Sequence, residues 1–177
     1  MIGNDAGDAD SIISAITLAY IESTCNKNQL TPVVSISKNA LAHERPDINL
    51  LLQLAGIRDS SGMLLFREDL LGMLGSIMKD AEQSCAITLV DHNTINKSLR
   101  NYKQELTVTD IVDHHNDEGL FMDTCSGNHR TIAFEHDRAL VASTTTLVAE
   151  MLRRYYPSPY PSSLGILLLG LDPPSKK

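Results

Sequence analysis

Three short segments of this 177-residue chain carry carboxylates and imidazoles at spacings suited to holding cations. The first, Gly3-Asn4-Asp5-Ala6-Gly7-Asp8-Ala9-Asp10-Ser11, lies at the start of the chain. The second and third, Leu89-Val90-Asp91-His92-Asn93 and Ile111-Val112-Asp113-His114-His115, each end an apolar run in an aspartate followed by imidazole. Asp8, Asp10, Asp91, Asp113, His114 and His115 therefore lie at the ends of apolar segments. Oxygen and imidazole donors with no thiolate among them suit Mn²⁺ or Mg²⁺ better than a structural zinc. Two such cations sharing one carboxylate form a hydrolytic centre for phosphate esters and anhydrides. Taken singly, Asp8 and Asp10 are ordinary turn or helix-cap residues. Asp91 and Asp113 could likewise be strand-end caps, and His92 a hydrogen-bonding neighbour of Asp91.

The remaining polar candidates are weaker. His43 and Arg45, in Ala42-His43-Glu44-Arg45-Pro46-Asp47, read as a solvated loop, and His129 and His136 as surface residues. Thr144 to Thr146, at a predicted helix start, could offer backbone N–H groups to an anion. A net charge of −7 and a pI near 5.2 argue against a non-specific nucleic-acid or membrane-surface protein. An acidic chain that handles an anionic substrate must concentrate positive charge locally, and bound cations would do so. No apolar run approaches the length of a membrane span, and no leader pattern opens the chain. Cys25, Cys85 and Cys125 are odd in number and widely spaced. They read as reduced thiols of a cytoplasmic compartment, each serving as a small buried hydrophobe.

The elements that must position these groups alternate between strand and helix. Helical spacing is predicted over Asp10 to Glu22, with Asp10 or Ser11 as its cap, and over Pro46 to Leu54, ended by Gly56. Further helices are predicted over Glu68 to Glu82 and Ser143 to Tyr155. Strands are predicted over Pro32 to Ile36, Met63 to Phe66, Ala86 to Val90, Val108 to Val112 and Thr131 to Phe134. Such alternation implies an α/β fold: an open, mainly parallel sheet with helices on both faces. In that architecture ligands bind beyond the carboxyl ends of the strands, where Asp91 and Asp113 stand. With 42% hydrophobic residues, the length fits one domain. Residues 1–170 are expected to form it. Met1-Ile2 leaves the Asp8/Asp10 loop without a preceding strand. Pro173-Pro174 and the basic end make 171–177 an aberrant or disordered tail, since a double proline cannot continue a buried element.

The three motifs, in this order, resemble those of the DHH phosphoesterase family. The likeness is to the branch containing the exopolyphosphatases, the prune proteins and family II inorganic pyrophosphatase. Asp113-His114-His115 matches the motif that names the family, and Ala142-Ser143-Thr144-Thr145-Thr146-Leu147-Val148 is similar to its following helix start. The resemblance implies that Asp8 ligates one cation and Asp10 the other, while Asp91 bridges both. It implies that His114 is a further ligand, that His115 contacts the substrate phosphate, and that Asp113 orients the histidines, with His92 beside them. Asparagine at position 4, where pyrophosphatases carry a histidine ligand, is similar to the exopolyphosphatase and prune members, and places Asn4 with Asp91 and His115 in the catalytic set. Some members hold a basic residue near the phosphate at the position of Arg45 or His43. The fourth motif carries a carboxylate after a glycine in an apolar run; here Asp172 follows Gly170 sooner than the pattern has it. The family's second, C-terminal domain, which closes over the site, has no counterpart in the sequence.

The activity implied is release of terminal phosphate from polyphosphate or another small phosphoanhydride, with two divalent cations, Mn²⁺ or Mg²⁺. Two rivals stand beside it. One is a truncated isoform or fragment that binds metal and phosphate without turning substrate over. The other is a nucleotide or short-oligonucleotide phosphodiesterase of the same superfamily, against which the forms of the first and second motifs argue.

Overall fold

A computed structural model describes residues 1–25, 30–77, 84–155 and 161–169. Helix α1 (Ala9–Cys25) begins where the Asp8 side chain accepts a hydrogen bond from Ser11 N at 2.9 Å. Asp8 is thus the cap, in place of the predicted Asp10 or Ser11, and Asp10 lies in the first turn, where its charge suits the helix dipole. Strand β1 (Val33–Val34) is shorter than predicted. Pro32 has no N–H to give a ladder, and the Ser35 hydroxyl turns to donate to the Asn4 carbonyl. Helix α2 (Lys38–His43), capped by Ser37, occupies part of the segment read as a loop. Helix α3 (Pro46–Leu54) follows as predicted, with proline in its first turn.

Helix α4 (Ser60–Met63) is capped by Asp59 and takes Met63 out of the predicted strand, leaving β2 (Leu65–Phe66). Helix α5 (Arg67–Ile77) covers the described part of the predicted Glu68–Glu82 helix; residues 78–83 lie outside the described set. Strands β3 (Cys85–Val90) and β4 (Leu106–Asp113) flank a 3₁₀ helix, Lys97–Tyr102. The late predicted strand is split into β5 (Arg130–Ile132) and β6 (Phe134–Glu135), and β6 pairs with β7 (Arg138–Ala139) in a hairpin. His136 and Asp137 at its tip both have positive φ, the conformation that a tight two-residue hairpin turn needs. Helices α6 (Thr144–Tyr155) and α7 (Ser162–Leu169) complete the described chain.

The main strands are all parallel, in the order β2–β1, then β3–β4–β5. Ile2 stands between the two groups. It bridges Val33 of β1 and Leu89 of β3, donating to Thr88 O and accepting from Val90 N, each at 3.0 Å. The first motif was expected to lack a supporting strand; one residue fills that place in the ladder.

Helices cover both faces. On one, α1 and α6 pack Leu18, Ile21, Leu147, Val148 and Leu152 onto Val90 and Val112. On the other, Leu70, Leu74 and Leu99 pack onto Ile87, Leu89 and Ile111. Adjacent residues at the ends of β3 and β4 thus point to opposite faces, both buried, which explains why Leu89-Val90 and Ile111-Val112 are apolar side by side. A third cluster joins α1 to α2, α3 and α7 through Ile12, Leu41, Ile48, Leu52, Phe66 and Leu167. Among the described residues no helix is long and apolar enough to cross a membrane.

Candidate metal centre

The register of β3 on β4 brings two aspartates abreast. Cys85 pairs with Leu106 and Ile87 with Val108; a bulge then shifts the register, and Val90 pairs with Val112. The extra residue in β4 makes Asp91 and Asp113 level at the carboxyl edge of the sheet. A slip of one residue would turn one of them to the other face.

Asp91 leaves β3 in a left-handed conformation, φ 66°, which aspartate tolerates better than most residues. Its side chain is 2% exposed. Oδ1 accepts from the Thr144 hydroxyl at 2.9 Å, and Oδ2 from Asn4 Nδ2 at 2.7 Å. Burial pushes the Asp91 carboxyl up to about 8, helped by the Asp10 and Asp8 charges and opposed by the Thr144 hydrogen bond and His115.

The first motif folds as a tight loop over this carboxylate. Asn4 Oδ1 accepts from Ala6 N at 2.9 Å and from Gly7 N at 3.2 Å, so one amide ties the loop together and also reaches Asp91. The loop leaves no room for side chains at two positions. A Cβ on Gly3 would lie 2.0 Å from Ser11 Oγ, and one on Gly7, at φ +54°, would lie 2.3 Å from Ile36 Cγ2. Asp10 turns toward α6. Its Oδ1 accepts from Thr145 N at 2.7 Å and from the Thr145 hydroxyl at 2.5 Å, and its Oδ2 from Thr144 N at 3.0 Å.

His114 lies opposite. Its Nε2 is 3.5 Å from Asp91 Oδ1 and 3.7 Å from Asp10 Oδ2. Its Nδ1 is 3.4 Å from the Val141 carbonyl, which can only accept; a hydrogen on Nδ1 leaves Nε2 as the nitrogen that faces the two acids. Two carboxylate oxygens, one from Asp91 and one from Asp10, thus lie within 4 Å of His114 Nε2. A cation such as Mg²⁺, with ligands at about 2.1 Å in an octahedral array, sets neighbouring ligands about 3 Å apart. The two separations from His114 Nε2 are slightly wider. Asp91, His114 and His115 also group as candidate ligands. The donor set fits a hard or borderline divalent cation.

Asp113, fully buried, is saturated. Its Oδ1 accepts from His114 N, His115 N and His115 Nδ1 at 2.8, 3.2 and 2.7 Å, and its Oδ2 from Asn93 Nδ2 at 2.7 Å. Burial works against the His115 cation, but the hydrogen bond to Asp113 and the charges of Asp113, Asp91 and Asp10 outweigh it and raise its pKa. With Nδ1 engaged, His115 keeps Nε2 for other partners, and its side chain is 55% exposed. A cavity of about 280 Å³ opens here, bounded by Asn4, Asp91, Asp113, His115, Asn116 and Glu118.

Several other sequence candidates hold partners of their own. Asp8 spends Oδ1 on the cap of α1. His92 lies between the Val90 carbonyl and Asn96 Oδ1, each at 2.9 Å, so both its ring nitrogens are occupied. Arg45 donates from Nη2 to the Ala6 carbonyl at 2.9 Å and so braces the first loop from outside. His43 is exposed at the end of α2, His129 pairs with Asp110 at 2.7 Å, and Asp172 and the 171–177 tail lie outside the described residues. Cys85 and Cys125 are free thiols. The structure adds Asn93, which holds Asp113 and the carbonyl of Asn116 together, at 2.7 and 2.8 Å. It also adds Thr144 and Thr145. The threonine run at a helix start was a visible signal for anion contact, but the anions they meet are the chain's own carboxylates.

Residues 1–171 match the DHH family, N-terminal domain. The chain is 32% identical over 172 residues to Exopolyphosphatase PRUNE1 of Rattus norvegicus and 30% identical over the same length to that of Homo sapiens. Each alignment covers 96% of this chain and 34% of the relative, so the chain spans about a third of the length of these relatives. Its parallel α/β sheet and the Asp-His-His motif at the end of β4 agree with that match, and the chain belongs to the DHH family.

Proposed function

We propose that this chain hydrolyses phosphoanhydride bonds with two divalent cations, Mn²⁺ or Mg²⁺, releasing terminal phosphate from polyphosphate in the manner of an exopolyphosphatase. The observation that carries this is the pair of carboxylates around His114 Nε2, Asp91 Oδ1 at 3.5 Å and Asp10 Oδ2 at 3.7 Å. The similar rat and human proteins, named exopolyphosphatases, supply the substrate class. Asp8, Asp10, Asp91 and His114 would hold the cations, with Asp91 shared. Bound there, they would lower the pKa of a water and neutralise charge on phosphoryl oxygens.

The chain's own groups do the rest. Asp113 fixes the His115 ring through Nδ1 and favours its protonated form, and Nε2 is left to donate to a phosphoryl oxygen in the cavity. Asn4 holds Asp91 from the opposite side. Arg45 has guanidinium donors beyond the one on Ala6, and His43 is the outermost contact for an anionic chain. Residues 1–170 act as the metal-bearing domain, in a cytoplasmic setting consistent with unpaired thiols.

The test is phosphate release from polyphosphate and pyrophosphate with Mn²⁺ or Mg²⁺, for the wild type and Asp91→Asn. Cation-dependent release that is absent in the variant is the expected result. Mn²⁺ binding without release would favour the binding-module reading, and release from oligonucleotide esters alone would favour the phosphodiesterase.

A further inference from the structure

Thr144 is fully buried and Thr145 is 5% exposed, at the first two positions of α6. Buried hydroxyls at a helix start ordinarily cap their own helix. Here Ser143 takes that role: its hydroxyl oxygen accepts from Thr146 N at 3.2 Å. The two threonines are left to act across the fold, on residues more than fifty positions away in sequence. Thr144 serves both acids beside His114, with its hydroxyl on Asp91 Oδ1 and its N–H on Asp10 Oδ2. Thr145 places two donors on Asp10 Oδ1. The same hydroxyl meets Ser14 Oγ at 2.8 Å, tying α6 to the face of α1 that carries Asp10.

We infer that Thr144 and Thr145 are positioning residues that set the separation and orientation of the Asp10 and Asp91 carboxylates for cation binding. The inference rests on the proposed reading that these two acids hold the cations. Without such donors the two acids would move apart or protonate, since each is partly or wholly desolvated and they repel one another. Oδ1 of Asp10 is fully engaged by α6, which leaves Oδ2, the oxygen nearer His114, to meet a cation. Groups that orient metal ligands in this way typically contribute tenfold to a hundredfold in metal affinity.

The test is Mn²⁺ titration, by calorimetry at constant pH, of the wild type, Thr144→Val, Thr144→Ser, Thr145→Val and Thr146→Val. Thermal unfolding in chelator is measured alongside to report stability apart from binding. Thr144→Val and Thr145→Val are expected to bind Mn²⁺ at least tenfold more weakly. Thr144→Ser, which keeps the donor, and Thr146→Val, whose hydroxyl touches only Ser143, should bind as the wild type does. A purely structural role would lower the melting temperature and leave the affinity of the folded protein unchanged; that result overturns the inference. Should Thr144→Val not fold, Thr145→Val decides, and wild-type affinity there is equally fatal. A wild type that binds no Mn²⁺ removes the proposed function first; a wild type that binds while both valine variants bind equally well removes only the positioning role.

Discussion

Asp91 and Asp113 end adjacent parallel strands, both are buried, and their surroundings are opposite in kind. Asp113 receives four hydrogen bonds, three of them from the next two residues, and no other acid is among its partners. Asp91 receives two from side chains, takes a left-handed backbone conformation, and is crowded by Asp10 and Asp8 until its carboxyl is pushed up to about 8. A buried carboxylate whose lone pairs are filled by the protein is a fixed support. One crowded by a second acid beside an imidazole has the surroundings that a cation would complete. Burial alone does not separate the two roles; the census of donors and charges does.

Three measurements would break or sharpen this contrast. The largest effect is expected from Asp113→Ala, which removes a fully buried carboxylate and the acceptor of four hydrogen bonds. At about 1 kcal/mol or more for each, the loss is on the order of 4 kcal/mol. That corresponds to a melting temperature lower by roughly 10 °C in chelator. Asp91→Asn, measured likewise at pH 8, should match or exceed the wild type, because the amide can accept from Asn4 and donate to the Thr144 hydroxyl while removing a charge. Equal losses in the two variants would erase the distinction.

The second effect is the gain on cation binding. Mn²⁺ at a hundred times its dissociation constant should stabilise the wild type by about 2.7 kcal/mol, or roughly 5–10 °C. In Asp91→Asn the rise should vanish. A variant that keeps the full rise would place the cation elsewhere.

The smallest effect, taken per pH unit, is the pH dependence of the metal-free chain. The folded Asp91 carboxyl is raised above its usual value of 3.8 to about 8, so between those values the folded state holds a proton that the unfolded state has released. Its contribution is complete below the lower value and is lost as pH rises through about 8. Stability should therefore fall from pH 5 to pH 8 by no more than about 1.4 kcal/mol per unit. His115, also raised, acts in the same direction. The difference between wild type and Asp91→Asn across that range isolates the aspartate; a flat difference would mean that Asp91 is already ionised without metal.

Much of this was readable in the sequence for a plain reason. Asp91 and Asp113 follow apolar runs that both faces of a covered parallel sheet demand, so their place at a strand end follows from hydropathy alone. The bulge that aligns them is a property of the pair β3 and β4 and leaves no mark in either strand. Helix α2 was missed because six residues are too few to show a period, and its Ser37 cap is an ordinary loop residue. Asp8, and not Asp10, caps α1 because Thr144 and Thr145, far along the chain, claim Asp10. Asn93 reads as one polar residue after a motif; only the turn of the chain through Asn116 to Glu118 gives it Asp113 to hold. Long-range partners of this sort are legible only once the topology is known.

The single bridging residue between β1 and β3 has a mechanical consequence. A parallel sheet resists shear through its full ladder; among the described residues, the backbone bonds that join the two halves of this one are those of Met1 and Ile2. The sheet therefore has a seam. The two flanks, one carrying β1 and β2 and the other β3 to β5, are held along that line chiefly by side-chain packing, Val33, Leu70 and Leu74 against Ile87, Leu89 and Ile111. Asp10 reaches the seam through the loop after Ile2, and Asp91 through Val90, which donates directly to Ile2. Any opening there is transmitted to the spacing of the two acids, and any cation that fixes their spacing acts as a rivet on the sheet.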